Sequence, residues 1–379
     1  MDALDAVRAR QYHWAGDAMK TLFWILLPLH LAVSATAASP AREIVLVQPA
    51  QVTAENARAW KAEGFTAAAV ILDSEIKPSI PALLSDAGLE YHLWIEIARQ
   101  PGLADAHPRW MASLGVHDDW LRRYPRAVAP KPGEVAKAWP WVTIRYREAF
   151  DAQLARLRDL LDRAPSGWRS VLLNDLQGGP SSCGCGNLQC RWATDYHVSS
   201  TGERMNDDDA AARFLAAVRA HVPGKTVVPV WTTECEHDDL PASKRKGAPS
   251  TGLCGGVGCA TGLCPKEYTK QWSAVLGTND HPIALLGLHG ELERRDAGAA
   301  WITNALAYLD GVPPAHGGRS LPRERLWLVV HGLDTAQEKV SRKLAATLGA
   351  AIIIVARTKI DQSYEPRVIP LKRPVPPRD

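Results

Sequence analysis

Three carboxylates stand where apolar runs end. Glu96 follows His92-Leu93-Trp94-Ile95, Asp175 follows Val171-Leu172-Leu173-Asn174, and Glu234 closes the run from Val227 to Thr233. An acid delivered by a buried strand is held firmly in place, and two such acids are enough to cleave a glycosidic bond. One, kept protonated, donates to the leaving oxygen, while the other attacks the anomeric carbon or activates water. A separation of roughly 5–5.5 Å implies retention of configuration, and roughly 6.5–9.5 Å inversion. Asp175 is the expected centre of the pair, with Glu234 or Glu96 as its partner. Structural roles compete with this reading: Asp175 could cap the loop that follows it, and Glu96 could pair with an arginine such as Arg99.

Other residues near these acids could hold a substrate. Trp94, Trp110 and Trp231 offer flat indole faces, while Asn174, His289, His331 and Arg357 offer hydrogen bonds at the ends of apolar runs. The chain has 14 Trp against 4 Phe, a bias that core packing does not require and that suits stacking on sugar rings. A non-catalytic glycan-binding protein would use the same tryptophans without needing the acids. The two histidines, alone on apolar runs, fit a structural role equally well.

All 7 cysteines fall in two glycine-rich stretches, as Cys183, Cys185 and Cys190, then Cys235, Cys254, Cys259 and Cys264. In an oxidising compartment such clusters serve as disulfides that staple loops lacking their own core. The alternative is a thiolate metal site in an envelope protein, but the C-x-C and C-x4-C spacings differ from the usual C-x2-C zinc knuckle. The odd number leaves one cysteine unpaired within the chain. The residues imply no cofactor and no resident metal.

The elements that must position these groups alternate along the chain. Strands are expected at residues 43–49, 67–73, 90–98, 170–175, 226–233, 282–289, 326–331 and 351–357. Helical patterns are expected at 54–63, 80–87, 144–163, 207–221, 267–276, 297–309 and 336–348. Eight short Val/Ile/Leu-rich strands with helices between them close into a (β/α)8 barrel. An open doubly wound sheet is the alternative, but Pro49-Ala50-Gln51 follows the first strand where a G-x-G-x-x-G would bind a dinucleotide. Barrels of this kind place their active sites at the carboxyl ends of the strands, where all three acids fall. In the third strand Leu93, Ile95 and Ile97 share one face, which points His92, Trp94 and Glu96 to the other, toward the lumen. In the fifth, Glu234 shares a face with Val228, Val230 and Thr232. The insertion at 99–141 holds four tryptophans and reads as a lid or binding wall.

The N-terminus gives an expectation for the compartment. From Met19 a basic residue, an apolar core at 22–33 and Ala35-Thr36-Ala37 form a secretory signal, with cleavage expected near residues 37–38. Residues 1–37 are thus a signal segment whose true start could be Met19, 38–364 the barrel, and 365–379 a proline-rich, extended tail. The apolar core is shorter than the ~18–20 residues of a membrane span, so no stable membrane insertion is expected after cleavage. The protein is expected in the periplasm or outside the cell. A net charge of +3, with no basic stretch interleaved with aromatics, excludes nucleic acid as a partner. A carbohydrate is the expected partner.

In its order of features the chain resembles secreted bacterial glycoside-hydrolase-like (β/α)8 barrels. The matching residues are His92-Leu93-Trp94-Ile95-Glu96, His107-Pro108-Arg109-Trp110, Asp175 and Cys183-Gly184-Cys185, within residues 43–200. Two features depart from that pattern: four residues separate Cys185 from Cys190 instead of two, and no Asp-Glu pair closes the fourth strand. The resemblance implies an exported glycoside hydrolase with its acids at the barrel mouth.

Overall fold

The computed structural model describes residues 41–73, 76–107, 110, 134–137, 142, 144, 147–174, 176, 207–232, 282–286, 322–358 and 367–370. In chain order its strands are β1 (Arg42–Val47), β2 (Ala67–Ile71), β3 (Glu90–Glu96), β4 (Glu134–Lys137), β5 (Ser170–Asn174), β6 (Thr226–Thr232), β7 (Ile283–Leu286), β8 (Leu326–His331), β9 (Ile352–Ala356) and β10 (Arg367–Pro370). All but β4 and β10 run parallel, each paired with its neighbour in the ring, and β9 returns to pair with β1. The sheet is therefore a closed parallel α/β barrel with no free edge.

Side-chain alternation sorts the strands into two apolar layers. Ile44, Leu46, Ala67, Ala69, Ile71, Trp94, Leu172, Val228, Val230, Ala284, Trp327, Val329 and Ile354 fill the lumen. The residues between them, among them Val45, Val70, Leu93, Ile95, Val171 and Val355, pack outward against the helices. This double coverage explains why β2 and β5 are buried along their whole length. Each fully buried aliphatic side chain contributes about 1.5–3 kcal/mol.

The helices are α1 (Ala54–Ala62), α2 (Ile80–Asp86), α3 (Pro101–Ala106), α4 (Arg147–Arg163), α5 (Asp207–His221) and α6 (Thr335–Thr347). Side chains cap the N-termini of α1 and α6. The Thr53 hydroxyl accepts from the Asn56 N–H, and the Asp334 carboxylate from the Gln337 N–H. In α4, Phe150, Leu154, Leu157 and Leu161 form the stripe that packs on the sheet. Among the described residues no helix is long and apolar enough to cross a membrane.

Every expected strand is present, with ends shifted by at most three residues. Three elements were not anticipated. The insertion after β3 contains α3 and β4, and β4 pairs antiparallel with β10, which lies in the proline-rich tail. Of the expected tail, residues 367–370 are described, and they form β10. The helices expected at 267–276 and 297–309 lie outside the described residues, as do all of the cysteines.

At the amino end of the lumen, His92 is 5% exposed and its Nδ1 lies 2.5 Å from the Ser170 hydroxyl. Burial pushes its pKa down from 6.5 to about 4; Glu90 opposes this, while Arg42 and Arg169 add to it. The folded protein thus resists a proton that the unfolded chain accepts. The contribution of His92 is fully present above about pH 6.5 and is lost as pH falls toward 4. Between pH 7 and 4.5 His92 is expected to remove about 2–3 kcal/mol of stability. Urea unfolding at both pH values, compared with His92→Gln, isolates this share. Equal pH dependence in the two proteins would exclude it.

Candidate functional site

The carboxyl end of the lumen is built around Glu96. It ends β3 and is 6% exposed. Strand register sets Glu96 beside Asn174 on β5, and both belong to the lumenal set. The Asn174 side-chain amide donates to both carboxylate oxygens, at 3.1 Å to Oε1 and 2.9 Å to Oε2. The Trp94 indole N–H, one step below on the same face, donates to Oε1 at 2.8 Å. An ionised carboxylate only accepts hydrogen bonds, and this surrounding of donors matches that form. These two neutral donors fix the orientation of the carboxylate.

The backbone beneath it is held as firmly. The Arg156 guanidinium, reaching in from α4, donates to the Glu96 carbonyl at 2.6 Å, and the Gln100 amide donates to the same oxygen at 2.9 Å. Gln153 joins this set by accepting from Arg156 Nε at 3.2 Å and donating to the Val142 carbonyl. Burial pushes the Arg156 pKa down to about 10, against the opposing pull of Glu96 and Asp73, so the group stays cationic at neutral pH. Asp73 follows β2 and is exposed. The mouth thus gathers Glu96 and Asp73 near the half-buried Arg156, and Arg99, three residues after Glu96, is itself buried. Neither Arg156 nor Gln153 stood out in the sequence, although both interrupt the surface of an otherwise apolar helix face.

The other candidates fall in different places. Trp94 has no exposed surface, so its indole holds Glu96 and has no free face to offer a sugar. Asn174 is equally buried, and its Oδ1 has no hydrogen-bond partner among the described residues. Trp110 is half-buried and stacks on His107, with ring centroids 3.7 Å apart and planes 12° from parallel. Arg357 follows β9 and turns into the helix layer, away from the mouth. Its guanidinium binds Glu63 and Glu338 and lies over the Phe65 ring. Burial lowers its basicity, but the hydrogen bonds to Glu63 and Glu338 outweigh this and hold it above its ordinary value.

Trp231 lies in β6 in register with Leu285, and His331 ends β8 in register with Ala356. Asp175, Glu234 and His289 lie outside the described residues, as do Cys183, Cys185, Cys190, Cys235, Cys254, Cys259 and Cys264. Among the described residues no group of three or more His, Cys, Asp or Glu could hold a metal ion.

No family model matches the chain, and no curated protein matches it in sequence. Among solved structures it is similar to a beta-galactosidase from the psychrophilic Marinomonas ef1, at 12% identity over 83% of this chain and 53% of that one, with a TM-score of 0.43. It is also similar to the alpha-galactosidase TtGalA from Thermus thermophilus, at 12% identity over 84% of this chain and 58% of that one, with a TM-score of 0.38. A third is the galactosidase domain of the alpha-galactosidase-sucrose kinase AgaSK, at 9% identity over 86% of this chain and 39% of that one, with a TM-score of 0.41. The chain spans less than three fifths of the length of each of these proteins.

Proposed function

We propose that this chain is an exported glycoside hydrolase of the (β/α)8 type that cleaves a poly- or oligosaccharide at the carboxyl end of its barrel. The observation that carries the reading is the Glu96 carboxylate, buried in the lumen and held through both oxygens by Asn174 and Trp94. A charged acid is costly to bury, and it is tolerated where donors surround it and the chemistry needs it. Glu96 is the acceptor member of the pair, acting as nucleophile or as the base that activates water. Asp175, the next residue after Asn174 in sequence, is the proton donor to the leaving oxygen. Glu234 is the alternative partner.

Asn174 and Trp94 orient Glu96 in this scheme. Trp110, Trp231, His289 and His331 supply the sugar contacts, and the cysteines staple the loops that wall the mouth. Cleavage of the signal near residues 37–38 releases the barrel into the periplasm or beyond.

Asp175→Asn tests the donor. Reducing-sugar release from a panel of polysaccharides is expected to fall by about 10²–10⁴-fold, the usual share of a general acid. Circular dichroism and the unfolding temperature should stay close to those of the parent. Full activity in this variant would remove Asp175 from the mechanism.

A further inference from the structure

At the end of the lumen opposite Glu96 lies a cavity of about 370 Å³. Barrel interiors of this type are normally filled by layers of side chains, so an unfilled layer is informative. The space arises because Ser170 and Thr226, in register on β5 and β6, are short where neighbouring lumenal positions carry bulky residues. Its volume falls within the roughly 300–1,000 Å³ range of small-molecule sites.

Two groups around this cavity are chemically unfinished. The first is His92, whose Nε2 is buried and has no hydrogen-bond partner among the described residues. The nearest carboxylate oxygen, Glu90 Oε2, is 3.7 Å away. That negative neighbour favours the tautomer with its proton on Nε2, so the Ser170 hydroxyl donates to Nδ1. Nε2–H is then a buried donor lacking an acceptor at bonding distance, an arrangement that costs stability unless something fills it. The second is Arg169, which lines the cavity yet makes no side-chain hydrogen bond or ion pair among the described residues.

The remaining wall selects the kind of ligand. Arg42 is bound to Glu90 at 2.8 Å, so the two largely cancel and Arg169 leaves one excess positive charge. Ile44, Ile352 and Trp327 give an apolar surface, with the Trp327 ring set edge-on to His92. We propose that this cavity binds a small organic monocarboxylate. Its carboxylate accepts from Arg169 and from His92 Nε2–H, and its apolar body lies against Trp327 and the two isoleucines. The acidic Glu90 disfavours a second negative charge. The site is independent of the glycosidase reading and lies at the other end of the barrel.

Benzoate is a suitable probe, with benzyl alcohol as the uncharged analogue of similar shape. Titration calorimetry on the full chain should show benzoate binding at least about tenfold more tightly than benzyl alcohol, the scale of one charge-assisted hydrogen bond. Arg169→Gln, at an exposed position, should weaken benzoate about tenfold and leave sugar release unchanged. His92→Gln should weaken it as well. The proposal is overturned if benzoate neither binds nor raises the unfolding temperature, if benzyl alcohol binds equally well, or if Arg169→Gln keeps full affinity.

Discussion

Glu96→Gln is expected to lower kcat for sugar release by about a thousandfold or more. The substitution keeps the shape of the side chain but removes its charge, and with it the ability to attack the anomeric carbon or take a proton from water. Both Asn174 contacts and the Trp94 N–H contact converge on the two carboxylate oxygens. An amide can accept through only one of its two polar atoms, so one of these donors loses its acceptor. The stability loss should stay near 1–2 kcal/mol, small beside the kinetic effect. Because the lost interaction belongs to the transition state, kcat and kcat/KM should fall together with little change in KM. Activity within tenfold of the parent would make Glu96 a structural acid and return the role to Glu234.

Trp94→Ala is expected to be the most destabilising single change at the mouth, at about 3–5 kcal/mol in denaturant unfolding. The side chain has no exposed surface and occupies the middle of the lumen, where the closed sheet leaves its neighbours little room to collapse. Trp94→Phe separates the two duties of this residue. It keeps most of the packing and removes only the N–H that Glu96 accepts, so stability should fall by less than half as much while kcat drops by about tenfold or more. A Phe variant with normal kcat would show that the indole hydrogen bond plays no part in orienting the carboxylate.

These expectations depend on how the lumen is populated, and the sequence revealed that unevenly. Glu96 was legible because β3 alternates cleanly: Leu93, Ile95 and Ile97 demand the helix layer and leave Trp94 and Glu96 to the lumen. β5 gave no such guide. Ser170 to Leu173 are acceptable on either face, and only the pairing of Asn174 with Glu96 assigns Asn174 to the lumen. The same ambiguity misled for Arg357. β9 reads Ile-Ile-Ile-Val-Ala, which carries no alternation, and the lumenal position falls to Ala356 instead. Arg156 was hidden for another reason. Its target is a backbone carbonyl sixty residues away, and no local pattern encodes such a contact. The N-terminal cavity was equally silent, because it comes from short residues on two different strands meeting across the ring.

The pairing of β4 with β10 bears on how the protein is made. The two strands are separated by roughly 230 residues, so closing that loop is entropically costly until the ring between them exists. Synthesis proceeds from the amino end, and β3 and β5, which carry Glu96 and Asn174, leave the ribosome long before β10 does. The nascent chain therefore holds the groups of its mouth before it can pair β4 with β10. That strand acts as a late clasp, added to β4 only after every strand of the ring has been made.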